Sequence, residues 1–156
     1  KSHMITAEDL YARFPEILYP GDLRDVPAGW MDIVDRYFQV ISPIMRDTGF
    51  EVVTAAESAG SLDWTWTSPL SSMTEERHRA MDREDVLLVL RSYRTCRVCG
   101  GFGFGWTSGR SILTACDEHG VGERIVDRQP LQRRTPHGIV SYDETTDQLV
   151  EVDQEI

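Results

Sequence analysis

Apolar residues recur most regularly between Trp30 and Met45. Trp30, Ile33, Val34, Tyr37, Phe38, Ile41, Ile44 and Met45 fall at three- and four-residue intervals, with Asp32, Asp35, Arg36 and Gln39 on the other side. This spacing predicts an amphipathic helix with a wide apolar face turned to a core. Pro43 has no backbone donor, so the helix should kink there or restart with Ser42 as cap, and Asp47-Thr48-Gly49 ends it. Earlier in the chain, Thr6 as N-cap and Asp9 three residues on predict a short capped helix to about Phe14. Tyr19-Pro20-Gly21 breaks the pattern, and residues 20–29 read as a loop ending at Pro27-Ala28-Gly29.

The period changes to two after residue 50. Phe50 to Ala55 is rich in β-branched residues, Ser58-Ala59-Gly60-Ser61 reads as a turn, and Leu62, Trp64 and Trp66 alternate with Asp63, Thr65 and Thr67. An antiparallel hairpin with both tryptophans on one face follows. That face is either core beneath the long helix or an exposed anchor for a partner. Ser72 and Glu75 form another capping-box pair, opening a charged helix from Met73 to about Tyr93. Its end, Val86-Leu87-Leu88-Val89-Leu90, also fits a buried strand, although the charged first half favours a helix. Glu75 and Glu76 can pair with Arg79 on its surface, and His78 reads as a solvated helix residue.

The last third carries the candidate chemistry. Cys96, Cys99, Cys116 and His119 form C-x2-C-x16-C-x2-H and use every cysteine of the chain. Two close pairs of soft or borderline donors suit tetrahedral Zn²⁺, and four protein ligands describe a closed structural site with no position for water or substrate. A disulfide would leave one cysteine over. Between the pairs, Gly100-Gly101-Phe102-Gly103-Phe104-Gly105-Trp106 alternates glycine with aromatics and predicts a short strand closing on Ser111-Ile112-Leu113. A phosphate-cradling loop is the lesser reading, because no lysine follows the glycines. If Cys116 begins a helix, the knot is treble-clef-like; a zinc ribbon is the other form. Arg124 to Arg134 reads as a connector, and His137 as exposed. Ile139–Tyr142 and Gln148–Val152 read as a terminal hairpin around Asp143–Asp147. Residues 141–156 hold six acids and no cation.

Together these elements give an α+β fold, with helices on a small antiparallel sheet and a zinc-ribbon or treble-clef-like knot. Lys1-Ser2-His3 ahead of Met4 reads as a vector remnant. The expected regions are a helical and hairpin core over 4–95, the knot over 96–122, and a connector with acidic hairpin over 123–156, joined in one unit. No apolar run reaches the length of a membrane span. The default is a soluble cytoplasmic protein, and cysteines in a metal pattern fit a reducing compartment.

Charge narrows the partners. The formal net charge is −10 over 156 residues, and Lys1 is the only lysine. An acidic chain lacks the phosphate-neutralising surface of a general nucleic-acid binder and suits a basic protein partner. Candidate contact residues are Trp64, Trp66, Phe102, Phe104 and Trp106, with Asp143, Glu144 and Asp147. Stacking of nucleic-acid bases on Phe102, Phe104 and Trp106 is the alternative. A zinc hydrolase or nuclease would need an open ligand position or a nearby acid or base, with Asp117, Glu118 and His137 as the residues to test.

Gly29-Trp30-x-x-Ile33, the stretch Ala56-Glu57-Ser58-Ala59-Gly60-Ser61-Leu62-Asp63-Trp64 and the cysteine–histidine knot also resemble a group of small uncharacterised proteins of bacteria and their phages. The resemblance covers about Trp30 to His119. Ala59 stands where that pattern has phenylalanine, and Ala55–Glu57 carries no lysine. It implies this architecture and a phage or mobile-element setting. Acidity, a closed metal site and the absence of a catalytic set make the expected function a non-enzymatic binding module, of inhibitor or immunity type.

Overall fold

Thr6 opens the first helix as its capping box requires. Its hydroxyl accepts from the Asp9 amide at 3.2 Å, and the Asp9 carboxylate accepts from the Thr6 amide at 2.9 Å, starting α1 (Ala7–Arg13). The computed structural model describes residues 4–126 and 130–152; the expected vector remnant and the acids Asp153 and Glu155 lie outside the described residues. A 3₁₀ turn at Ala28–Trp30 leads directly into α2 (Met31–Met45), whose apolar stripe is buried along its length. Pro43 neither ends nor restarts this helix. It sits in the last turn, where its missing donor costs only the bond to the Gln39 carbonyl.

Strands β1 (Glu51–Ser58) and β2 (Ser61–Thr67) form the expected hairpin. Ala59 and Gly60 both have positive φ, at 49° and 87°, the conformation of a two-residue I′ turn that matches the twist of the strands. The charged helix α3 spans Glu75–Ser92, so residues 86–90 are helical. Its cap is Thr74, not Ser72: the Thr74 hydroxyl accepts from the Arg77 amide at 3.2 Å, while Leu70–Ser72 form a 3₁₀ turn. Ser72 instead offers its carbonyl to Arg77 Nη1 at 2.8 Å.

The core lies between α1, the loop after it, α2, the β1–β2 hairpin and one face of α3. Trp30, Tyr37, Phe38, Ile41, Leu62, Met81 and Leu88 are among its fully buried side chains. Trp64 is 8% exposed and meets both Tyr37 and Phe38 edge-on. Trp66 stacks on Phe50, and its indole nitrogen donates to Asp85 Oδ2 at 2.8 Å. Both tryptophans therefore serve packing, and Trp64 offers a partner little surface. Tyr37 also donates to Asp85, at 2.6 Å. Burial pushes the Asp85 carboxyl up to about 6, and the hydrogen bonds from Tyr37 and Trp66 offset part of that rise.

Two further antiparallel sheets follow. The first has the order β4 (Ser111–Ala115), β3 (Phe104–Ser108), β5 (Glu123–Arg124); the second has β6 (Gln132–Thr135), β7 (Gly138–Asp143), β8 (Gln148–Val152). The fold is α+β, as expected. The region expected as a connector holds two strands: β5 adds a third strand to the knot hairpin, and β6 adds one to the terminal hairpin. No described helix is long and apolar enough to cross a membrane.

Candidate metal centre

The chain leaves α3 through a turn and enters the first cysteine pair. The Cys96 amide donates to the Gly101 carbonyl at 2.7 Å, and the Gly100 amide donates back to the Cys96 carbonyl at 3.0 Å, closing a tight knuckle. The second pair sits on a single turn after β4, where the amides of His119 and Gly120 both donate to the Cys116 carbonyl. No helix begins at Cys116, so the treble-clef form is not found: Gly120 and the return into β5 end the turn at once. The β3–β4 hairpin carries the two pairs back to one place.

There the four donor atoms lie within 4.8 Å of one another. Cys99 Sγ is 3.8 Å from Cys116 Sγ, while His119 Nδ1 is 3.6 Å from Cys96 Sγ and 3.1 Å from Cys116 Sγ. Tetrahedral zinc with bonds of about 2.3 Å to sulfur places sulfurs about 3.8 Å apart, so the donor set has the size and chemistry of such a site. Backbone amides support the sulfurs: Val98 donates to Cys96 and Gly101 to Cys99, each at 3.4 Å. Burial raises the Cys96 thiol, but the amides of Cys99, Cys116 and Val98 and the His119 ring outweigh it and bring the thiol down to about 6. A thiolate near neutral pH is what a metal needs from this ligand.

The knot is anchored to the core by residues far away in the chain. Gly29 donates to the Arg97 carbonyl at 2.9 Å, and Trp30, fully buried, donates from its indole nitrogen to the Thr95 carbonyl at 2.8 Å. A Cβ on Gly29 would lie 2.1 Å from the Cys96 carbonyl oxygen, so only glycine admits this approach. The start of α2 is thus pressed against the first knuckle. On the other side Glu57 of β1 accepts from Arg97 Nε and Nη2 at 2.9–3.0 Å. Thr114 donates to the Gly60 carbonyl at 2.6 Å, tying β4 to the hairpin turn. These contacts account for the three separated motifs of the sequence: Gly29-Trp30, the β1–β2 turn and the knot form one junction.

The aromatics between the cysteine pairs do not form an open stacking platform. Trp106 packs its ring against Gly120, where a Cβ would lie 2.0 Å from a ring atom, and donates to the Ala115 carbonyl at 2.9 Å. Phe104 meets Phe102 edge-on and carries the Arg124 guanidinium 3.5 Å from its ring centre. Phe102 is 50% exposed.

The acidic turn of the last hairpin is also occupied. Asp147, with φ 55°, accepts from Arg91 at 2.8 Å, from the Tyr142 hydroxyl at 2.5 Å and from Arg36. Glu144 pairs with Arg94, and Asp143 accepts from the Thr145 amide at 2.9 Å. Asp147 therefore braces the terminal sheet against α2 and α3, Glu144 ties it to the chain just beyond α3, and Asp143 shapes the turn, where a free contact surface was expected. Burial raises the Asp147 carboxyl, but Arg91, Tyr142 and Arg36 together hold it down at about 2. No spacing in the sequence announces these long-range arginine partners.

Asp117 pairs with Arg124 at 3.1 Å, and His137 is exposed in the turn between β6 and β7. No family model, no curated protein and no solved structure matches this chain.

Proposed function

We propose that this chain is a non-enzymatic protein-binding module stapled by a structural zinc ion. The observation that carries the reading is the donor set: Cys96, Cys99, Cys116 and His119 supply four ligand atoms at tetrahedral spacing, which fills the coordination shell with protein. When bound, the metal supplies folding free energy to a region poor in apolar burial. The net charge of −10 favours a basic protein as partner. The resemblance to small bacterial and phage proteins extends this to an inhibitor or immunity-type role in the cytoplasm of a bacterial or phage-infected cell. The contact surface lies elsewhere than on Trp64 or Asp147, which are engaged inside the molecule.

The experiment is capture from host lysate, identification of the bound protein, and titration of the purified pair by calorimetry. Saturable binding to a basic protein, lost when the metal is removed, supports the reading. Turnover of a peptide or nucleic acid by the zinc-loaded chain overturns it.

The half-exposed ring of Phe102 favours a second reading, a nucleic-acid-associated zinc protein. Affinity for single-stranded DNA or RNA that falls steeply with salt would support it; no binding at low salt would sink it.

A further inference from the structure

We infer that the basic partner inserts a cationic amphipathic segment into the groove between the first half of α3 and the terminal β6–β8 sheet; this rests on the protein-binding reading above.

The sheet meets α3 as an open wedge. At one end the acids of the β7–β8 turn grip Arg91 in the last turn of α3 and Arg94 just beyond it. Towards the start of α3 the two elements part around a groove of about 810 Å³. Strand register explains what the sheet turns into it. Val140 lies opposite Glu151, and Leu149 is two residues from Glu151 on the same strand, so the three side chains share one face. Val86 supplies apolar surface from the helix, and all four of these residues line the groove. None of the sheet's residues belongs to the main hydrophobic core. The groove therefore holds half-buried apolar side chains that the fold itself leaves partly uncovered.

Charge selects the occupant. Four carboxylates line the groove, from Glu75, Glu76, Asp82 and Glu151, against the guanidinium groups of Arg79 and Arg83. Arg79 lies 3.7 Å from Glu75, and Arg83 lies 3.9 Å from Glu84. Glu76, Asp82 and Glu151 have no ion pair among the described residues. An apolar lining bordered by unpaired carboxylates complements a segment with leucine-like residues on one face and arginine or lysine on the other. An acidic or purely polar segment would leave those carboxylates without partners.

The test uses a fluorescent 14-residue peptide of leucine and arginine in helical amphipathic order, titrated into the zinc-loaded chain at physiological salt. The comparison is between wild type, E76R/E151R at the groove, and E8R/E16R, which removes the same charge elsewhere. The expected result is saturable binding that weakens roughly tenfold or more in the groove variant and less than about twofold in the control. Leu149→Ser, which keeps the charge, should also weaken binding. Equal loss in both double variants, or binding that survives E76R/E151R, overturns the groove while leaving the protein-binding reading intact. No peptide binding also overturns the groove; the captured partner still judges the wider reading. A wild-type dimer that E76R/E151R converts to monomer would make a second copy the occupant and likewise overturn the proposal.

Discussion

The first ninety residues and the remainder of the chain are held together by different physics. Between Leu10 and Leu90 the protein buries a continuous set of aliphatic and aromatic side chains, with polar contacts such as those of Asp85 set within it. From Cys96 onwards only Cys96 and Ala115 are fully buried apolar residues among the described positions. That region relies on directed bonds: four donor atoms gathered at one point, the Glu57–Arg97 fork, and the arginines that grip Asp147 and Glu144. Apolar burial tolerates small errors of position because it scales with area. A metal site or bidentate ion pair does not, because its energy depends on distance and angle. The second region should accordingly respond to metal and to single-atom changes that leave the first unmoved.

Metal removal should show the largest difference. Chelation, or Cys96→Ser, should withdraw binding free energy on the order of 10 kcal/mol from the folded knot. Amide exchange should then accelerate across residues 95–125 well before it does in α2. Equal loss of protection in both regions would mean that the knot is part of the core and not an attachment to it. In the opposite direction, Phe38→Ala should cost about 3–5 kcal/mol of global stability by emptying the aromatic cluster. Denaturant melts would measure this, and zinc per folded molecule should not change.

Gly29→Ala probes the junction between the regions. The added methyl meets the Cys96 carbonyl, so either the start of α2 or the knuckle must move, at about 1–3 kcal/mol. Competition with a zinc chelator should show weakened metal binding as well as a lower melting point. A lower melting point with unaltered zinc affinity would place the cost in the core alone.

Smaller effects come with pH, and the two regions should differ in sign. Asp147 is held at about 2 against an ordinary 3.8, so its stabilising contribution is present above the ordinary value and is lost as pH falls towards 2. Its side chain is 34% exposed, so screening limits the effect, and Asp147→Asn should cost only about 1 kcal/mol at neutral pH. Asp85 in the core is raised to about 6. The folded state keeps a proton that the unfolded chain has released, so stability falls as pH rises from 3.8 to about 6. Urea melts of Asp147→Asn and Asp85→Asn from about pH 2 to pH 8 should flatten opposite limbs of the profile.

What could be read from the sequence follows the same division. The stripe of α2 and the tryptophan-bearing hairpin were legible because burial imposes a period on the residues, and the start of α1 because Thr6 and Asp9 cap it locally. The four metal donors were legible because ligand spacing is a local signal. Strands β5 and β6 were not: Glu123–Arg124 and Gln132–Thr135 are short, polar edge strands without apolar alternation. The acids of the β7–β8 turn read as a contact surface because their partners, Arg36, Arg91 and Arg94, stand 50 or more residues away in the chain. Gly29 looked like the end of a loop, although its importance lies in a carbonyl contributed by Cys96.

The most direct test of the central claim is metal content joined to coordination. The purified chain should carry one zinc per molecule, and cobalt replacing it should give the intense visible spectrum of a tetrahedral site with three sulfurs and one nitrogen. Absence of bound metal, or a cobalt spectrum of five or six coordination with exchangeable water, would contradict the closed structural site on which this account of the molecule rests.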